Sequence, residues 1–542
     1  MFISSISSKK NWPLITSTGM LWIIIFLLLI TSIHATQGQL IYPLDDTYIH
    51  LAISKNFSQY GIWGITKDNF TSSSSSLFWT LLLSFTNFLF GANNIAPLGF
   101  TIVFATLLLY FVSTFLKKSK LPSVFILFAL LSIIFFTPLP VIIFTGLEHV
   151  LHALLTIAFI WLSASILTSN IMKNSSTTGL LALAFLLTMT RFESMFVIFF
   201  VGCLFILRKK WGYSMTLFGF AALPIVSYGI ISLKKGWYFL PNSVLLKGRM
   251  PDFSSFKTII SALLSPWNQI VKTPHISLIL LVAVIILIFQ YMKYRMFWKQ
   301  SLIMNIIFLF TLSMHIQFAK LGWFYRYEAY LMSLGIFIIF IAINEFFPKN
   351  MSHIFSKRKN KSLLPRYIAI AFFSLTVIST LVLRGSIAIL KIPQATKNIY
   401  EQQYQIGLFL GKFNQGKGVA TNDVGAVNYL ADIKCLDLWG LGNLEVAKAK
   451  RGKYYNTQWI NKLAKLKNIK IAIVYDSWFS KYGGLPSEWI KVEEWTITNN
   501  VVCSSDTVSF YAVDPSERDI LKDNLRQFSF QLPKDVVRKS YF

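Results

Sequence analysis

Apolar residues run along this chain in long blocks separated by short polar breaks. The blocks lie near 14–35, 94–116, 121–137, 149–168, 177–190, 192–207, 213–232, 276–292, 300–318, 327–346 and 367–390. Several reach the roughly 20 residues needed to cross a hydrocarbon core of about 30 Å, so together they predict about eleven spanning helices. The breaks alternate in character. With Lys9 and Lys10 inside, every second connection is basic: Lys117-Lys118-Ser119-Lys120, the stretch with Lys173, Arg208-Lys209-Lys210, Lys293 to Lys299, and Lys349 to Arg366. Cytoplasmic loops carry this bias. The first block exceeds the apolar core of a signal peptide and reads as a first span with a cytoplasmic start. An odd number of spans then leaves the C-terminal region outside.

Two segments depart from the spanning pattern. Counting residues 77–91 as a span would put Lys117–Lys120 on the outside, so they are predicted to lie in the outer interface. Ahead of them Ile49, Ala52, Ile53, Phe57 and Tyr60 recur at helical spacing up to Gly61, which predicts a second interfacial helix over 46–60. Between the two, the Ser72–Ser76 run has the composition of a flexible linker and suggests a mobile lid. From about Ile392 the apolar runs shorten to strand length, at Gly418–Thr421, Lys434–Leu438, Ile469–Tyr475 and Val501–Val513, with polar helical stretches near 394–413 and 457–467. The predicted class is an α-helical polytopic membrane protein with two parts. Residues 1–391 form the transmembrane domain, with interfacial helices in an outer loop over 36–93, and residues 392–542 form an extracytoplasmic α/β domain.

Composition agrees and removes one alternative. Charged residues are 14% of the chain and hydrophobic ones 54%, against about a quarter charged in soluble domains. The net charge of +28 would suit a nucleic-acid partner, but the basic residues sit in short inter-span runs and not along one face. A second basic group, Lys448 to Lys453 and Lys462 to Lys470, reads as a solvated face able to attract anionic lipid or a phosphorylated glycan. Three cysteines show no metal-binding spacing; a disulfide between Cys435 and Cys503 stays open.

The chemistry gathers at the outer ends of the spans: Asp45 and Asp46, Glu148, His149 and His152, Arg191 and Glu193, Trp237 to Arg249, and Lys320 to Glu328. Charges near lipid are costly and mark function or an interface. Asp45 and Asp46 open the 46–60 helix. One reading makes them helix caps. The other makes one of them a general base for a hydroxyl at the membrane surface, its neighbour raising its pKa or helping to hold a cation. Arg191 is either a local partner of Glu193 or a phosphate ligand. Arg326, among Trp323, Phe324, Tyr325 and Tyr327, is either an interface anchor or a phosphate ligand, while Lys247 and Arg249 beside Asn242 and Ser243 are either an ordinary solvated basic loop or phosphate contacts. Asn422, Asp423 and Asp437 read as turn residues or as acceptor contacts. Asp45, Asp46, Glu148 and His149 offer ligands for Mg²⁺ or Mn²⁺.

The order of several short motifs resembles GT-C glycosyltransferases, and most the branch that includes mycobacterial terminal arabinofuranosyltransferases. These motifs are Asp45-Asp46-Thr47-Tyr48-Ile49, Gly61-Ile62-Trp63-Gly64, the Ser72–Ser76 run into Leu77-Phe78-Trp79, Thr145-Gly146-Leu147-Glu148-His149, Arg191-Phe192-Glu193, Leu240-Pro241-Asn242-Ser243 with Lys247, Asn422-Asp423-Val424-Gly425-Ala426 and Leu436 to Gly442. The resemblance implies a multi-span enzyme of the bacterial inner membrane. It would move a sugar from a polyprenyl-phosphate donor to an envelope glycan or glycolipid, lipopolysaccharide for example, with inversion at the periplasmic face. It makes Asp45 or Asp46 the base. Arg191, Lys247 and Arg326 are the candidates for the donor phosphate, and His50, Glu148, His149, Glu193, Asn242 and Tyr325 those for substrate positioning. Metal use stays open. The rival classes are a flippase of lipid-linked sugars, which would show repeats and midplane polar residues that this sequence lacks, and a non-catalytic glycan-binding module.

Overall fold

The computed structural model describes residues 8–169, 174–248, 255–295, 297–346 and 378–541. The predicted basic runs at Lys173 and from Lys349 to Arg366, the start of the last apolar block, and Arg249 lie outside them.

The apolar blocks are helices: α1 (Ser8–Ala35), α4 (Ala96–Lys118), α5 (Ser123–Phe136), α7 (His149–Thr168), α8 (Asn174–Thr190), α9 (Ser194–Leu207), α10 (Trp211–Lys234), α13 (Pro274–Tyr294), α14 (Gln300–Phe318) and α15 (Ala329–Phe346), followed by a helix over 378–390. Among the described residues six are long and apolar enough to cross a membrane: α1, α4, α7, α10, α13 and α14. The chain is thus a multi-pass membrane protein. α7 is the hub, with 78% of its most apolar window buried against 22% for α1 and α13. It packs on α4, α8, α14 and α15, so its polar N-terminal end, Glu148 to His152, sits inside the bundle.

One end of the bundle is tied by the basic runs. Lys117 Nζ donates to Asn11 Oδ1 at 2.6 Å, Asn344 Nδ2 to the Ser119 carbonyl at 2.5 Å, and Arg208 Nε to the Leu167 carbonyl at 3.1 Å. Lys299 pairs with Glu345 at 3.0 Å. These basic residues lie at one end of the bundle, and the acidic doublet lies at the other.

At that other end α2 (Asp45–Tyr60) and α3 (Leu77–Phe90) pack together. Gly61 closes α2 with φ +69° and donates its N–H to the Phe57 carbonyl, an αL stop that glycine reaches without strain. The Ser72–Ser76 segment between them differs from the expected lid. Ser72, Ser73, Ser74 and Ser76 are buried. Ser72 Oγ meets Tyr228 Oη at 2.9 Å, the Ser72 carbonyl accepts from the Asn242 N–H at 2.8 Å, and Ser76 Oγ caps α3 by accepting from the Trp79 N–H. Serine-rich composition gave flexibility by default; here the small hydroxyls satisfy a buried extended strand. Three short helices complete this face: α6 (Leu139–Phe144), α11 (Asn242–Lys247) and α12 (Phe256–Lys272). The hydropathy pattern did not reveal α12, because only one stripe of it is apolar. Phe256, Ile260, Leu264, Trp267 and Val271 project outward at helical spacing, as in a helix lying in an interface.

The C-terminal part holds a six-stranded sheet, β1 (Gly418–Thr421), β2 (Lys434–Asp437), β3 (Ile469–Val474), β4 (Ile490–Thr496), β5 (Thr507–Ala512) and β6 (Val537–Ser540), in the order β2-β1-β3-β5-β4-β6. β2, β1 and β3 are parallel and the remaining pairs antiparallel. β4 and β6 were not legible in the sequence; their alternation is broken by Lys491, Glu493, Glu494 and the charges of 537–540. Phe409, Trp495, Phe510 and Phe528 fill one face. The loops after β1 and β2 meet the membrane domain, as the contacts below show, and loops at the carboxyl ends of parallel strands are where such folds carry ligands. Cys435 and Cys503 are free thiols, half-buried in different surroundings.

Candidate active site

A cavity of about 550 Å³ opens where α2, the α6–α7 turn, the α8–α9 turn, α11 and the loop before α15 converge. Its lining includes four basic residues, Arg191, Lys247, Lys320 and Arg326, and three acidic ones, Asp46, Glu148 and Glu193. His50, His149, Ser243 and Tyr327 also face it. Residues far apart in sequence thus meet in one polar pocket.

The doublet is divided by the helix it opens. Asp46 turns into the cavity. Its carboxylate accepts from Lys247 Nζ at 3.1 and 3.3 Å and pairs with the Arg326 guanidinium. Burial alone would raise its pKa, but the two cations outweigh that and hold the carboxyl well below the usual carboxylate range. Asp45 turns the other way. Its two oxygens accept the N–H groups of Gly425 and Ala426, each at 2.8 Å, so it caps a helix start in the C-terminal domain, not the helix it opens. Burial, with the nearby Asp423 carboxylate, pushes Asp45 up. Gly425 is the residue that permits this approach, since a Cβ there would lie 2.1 Å from the Asp45 carbonyl oxygen. Asp45→Ala leaves two buried N–H groups unpaired, at about 1–3 kcal/mol each. The expected result is a lower melting temperature and faster proteolytic release of the C-terminal domain.

Arg191 holds two carboxylates together. It forks onto Glu193 at 3.1 and 2.5 Å and donates to Glu148 Oε1 at 2.8 Å. Glu193 resists its burial because Arg191 holds it down to about 2. Glu148 Oε2 remains without a hydrogen-bond partner, 3.9 Å from His50 Nε2. His50 is anchored through Nδ1 to Thr80 Oγ1 at 2.8 Å, and burial draws its imidazole below 6.5. Ser243 Oγ and Arg326 Nε are further buried atoms without partners. A pocket with such orphaned donors and acceptors is arranged for a polar ligand.

Backbone geometry aims these groups. Gly146 has φ +61°, and a Cβ on it would meet the Tyr42 ring at 2.5 Å and Thr47 at 3.1 Å, while Thr47 Oγ1 donates to the Thr145 carbonyl at 2.5 Å. The Gly146 turn thereby locks Glu148 against α2. Gly146→Ala combines αL strain with this overlap, so a loss of about 1–3 kcal/mol is expected, read as a drop in thermal stability. Ahead of Arg326, four consecutive residues from Gly322 to Tyr325 have positive φ. Glu328 clamps this run, accepting from the Gly322 N–H at 2.8 Å and from Arg384 at 3.2 Å.

The remaining candidates take other places. Tyr325 lies over Arg384, 4.7 Å from its ring centre, and not in the cavity. Asn242 donates to the Gly440 carbonyl at 2.8 Å, tying α11 and hence Lys247 to the β2 loop. Asp437 is a turn residue, accepting from the N–H groups of Trp439, Gly440 and Gly442. Asp423 accepts from Gln403 at 3.0 Å. Of the four residues considered as metal ligands, Asp45 faces the C-terminal domain, Asp46 is paired with Lys247 and Arg326, and Glu148 is paired with Arg191 through Oε1 alone. Among the described residues no group of three or more His, Cys, Asp or Glu is placed to hold a metal ion. Tyr327 was missed as a site residue. It lines the cavity beneath Arg326, and its adjacency to Arg326 was the available signal.

A second cavity, of about 1,280 Å³, lies across the Ser72–Ser76 strand. It is walled by Trp63, Leu77, Leu81, Phe185, Met189, Tyr228 and Ile231, with Lys235, Lys434 and Lys467 on its rim. Thr71 and Gly442 face this larger space, whereas Ser73 and Leu441 face the smaller one. The partition is therefore a single strand and one loop thick.

No curated protein matches this chain in sequence. Residues 397–511 match a family described only as a domain of unknown function, DUF8728. Among solved structures, ArnT from Cupriavidus metallidurans bound to undecaprenyl phosphate superposes with a TM-score of 0.52 at 11% identity, covering 92% of this chain and 99% of that one. Its apo state gives 0.51 at 10% identity, with the same coverage. Across nearly its whole length, the chain has the fold of ArnT.

Proposed function

We propose that this protein is a glycosyltransferase that moves a sugar from a polyprenyl-phosphate carrier to an envelope glycan or glycolipid at the periplasmic face of the inner membrane. The observation that carries this reading is Asp46 seated between Lys247 and Arg326 in the wall of the smaller cavity. ArnT's complex with undecaprenyl phosphate and the motif resemblance to arabinofuranosyltransferases support the carrier. The cavity lining has one more basic than acidic side chain, which suits the single negative charge of a phosphodiester-linked sugar.

The arrangement gives each residue a task. An entering phosphate competes for Lys247 and Arg326, with Arg191 bordering the same space. Drawing the two cations away frees the Asp46 carboxylate and raises its pKa from its depressed value, so that it becomes a base only when donor is present. The acceptor hydroxyl attacks the anomeric carbon from the side opposite the phosphate. Its proton passes to Asp46 as the bond to the phosphate oxygen breaks, and the configuration inverts. The leaving lipid phosphate takes its new charge onto the cations, so no general acid is required; fixed cations of this kind stabilise the developing charge. His50, Glu148, His149 and Glu193 shape the wall against the sugar. The larger cavity, walled mainly by apolar side chains, takes the acceptor lipid. No step runs through a metal.

The test has two parts. Deleting the gene should cause one polyprenyl-phosphate sugar to accumulate, and purified protein should release polyprenyl phosphate from it when acceptor is added. A reporter placed after α1 should report from the periplasm. A cytosolic signal there, or no change in any lipid-linked sugar, would overturn the reading.

A further inference from the structure

The loop after β2 faces two ways. Leu441 lines the smaller cavity and Gly442 the larger, while Trp439, two residues earlier, joins an aromatic group on the outer surface of the C-terminal domain. Trp439 and Trp478 are half-exposed with ring centres 4.5 Å apart. Tyr482 stands edge-on to the buried Tyr455 at 4.8 Å, and Tyr455 Oη donates to the Leu438 carbonyl at 2.8 Å, fixing the floor to the loop. Two lysines border these rings. Lys450 Nζ lies 3.9 Å from the Trp439 ring centre and donates to the Trp439 carbonyl at 2.9 Å. Lys481 Nζ is 4.8 Å from the Tyr482 ring centre and 5.7 Å from that of Trp439. Among the described residues neither lysine forms an ion pair. The carboxylates of the same segments are engaged elsewhere: Asp437 by three backbone N–H groups, Asp476 by Lys491 and Glu488 by Lys465.

Half-exposed indole and phenol rings with ammonium groups over them suit a particular partner. The ring faces are electron-rich and attract the C–H face of a pyranose, whereas the unpaired ammonium groups require an anion. Aromatic rings alone would suit a neutral sugar, and lysines alone any polyanion. We infer that Trp439, Trp478, Tyr482, Lys450 and Lys481 form a binding platform for an acidic pyranose in the acceptor glycan, set a few residues from the catalytic cavity. This names an acceptor class for the proposed transferase and rests on that reading. Burial draws the Lys450 ammonium down to about 7 against the pull of Asp437, and a docked carboxylate would restore its charge. The platform holds the glycan outside the membrane while the loop's other side meets both cavities.

The test uses full-length protein in detergent passed over immobilised hexagalacturonate, maltohexaose and polyglutamate. Wild type should be retained on hexagalacturonate in preference to both others. Trp478→Ala and Lys481→Met should each weaken that retention by about tenfold, the scale of one charge-assisted hydrogen bond; Lys481 is exposed, so its variant folds with little risk. Retention on hexagalacturonate no better than on maltohexaose or polyglutamate, or undiminished in both variants, overturns the inference. Asp46→Asn should bind as wild type does. If wild type transfers no sugar from a polyprenyl-phosphate donor, the transferase reading fails while the binding result stands separately.

Discussion

Asp46→Asn should abolish measurable sugar transfer, with kcat falling by about 10²–10⁴-fold as for removal of a general base, while the protein inserts and folds normally. The amide keeps the shape of the side chain and can still accept from Lys247 and Arg326, so the loss should fall on chemistry more than on the fold. The acid limbs of the pH profiles give a second readout. In the free enzyme the two cations hold Asp46 well below the usual carboxylate range, so kcat/KM should not fall until the pH is lower than an ordinary carboxylate would require. With donor bound, the phosphate takes over the cations and the Asp46 pKa rises, so the kcat limb should lie at higher pH than the kcat/KM limb. Coincident limbs would mean that the cations never leave Asp46, and another base would have to be sought. Steady-state rates with purified donor settle the comparison.

Arg191→Gln should be the most destabilising change at the site. It leaves Glu148 and Glu193 buried without their shared cation, and breaking a buried pair from one side costs about 3–5 kcal/mol. The pH dependence of the deficit follows from Glu193. Its folded pKa is depressed from 4.5 to about 2 by Arg191 despite burial, so its stabilisation is complete above about 4.5 and disappears as the pH falls toward 2. The difference in melting temperature between wild type and Arg191→Gln should therefore be largest near neutral pH and shrink below about pH 4.5. A gap that stays constant with pH would show that lost packing, not the uncompensated carboxylates, is responsible.

Much of the architecture was legible in the sequence because lipid imposes a one-dimensional code. An apolar run must be long enough to satisfy its own backbone in hydrocarbon, and loop charge marks its ends. Hence the helical blocks, the extra helix over residues 77–90 and the tight stop at Gly61 were all readable. α12 was not, since a one-sided stripe leaves no long hydropathy block, and β4 and β6 were hidden by charges that interrupt their alternation, Glu493 among them although it is buried. Serine content misled over residues 72–76, because composition does not record whether hydroxyls meet water or a buried strand.

The amino-acid order alone determined the chemical inventory of the site: an adjacent pair of carboxylates, an Arg-Phe-Glu turn, a Gly-Leu-Glu-His turn and two further cations, all at one end of the spans. It could not separate Asp45 from Asp46. Neighbours in sequence at a helix start differ by about 100° in direction, and which direction meets cations and which meets backbone N–H groups depends on chains brought in from elsewhere. Lys247 and Arg326 arrive from about 200 and 280 positions away, Gly425 from about 380. Only the folded packing of the bundle against the C-terminal domain decided that Asp46 is charged and enclosed with two cations while Asp45 serves as a clasp. A carboxylate's chemistry is set by the groups within a few ångströms of it, and those groups are not its neighbours in sequence.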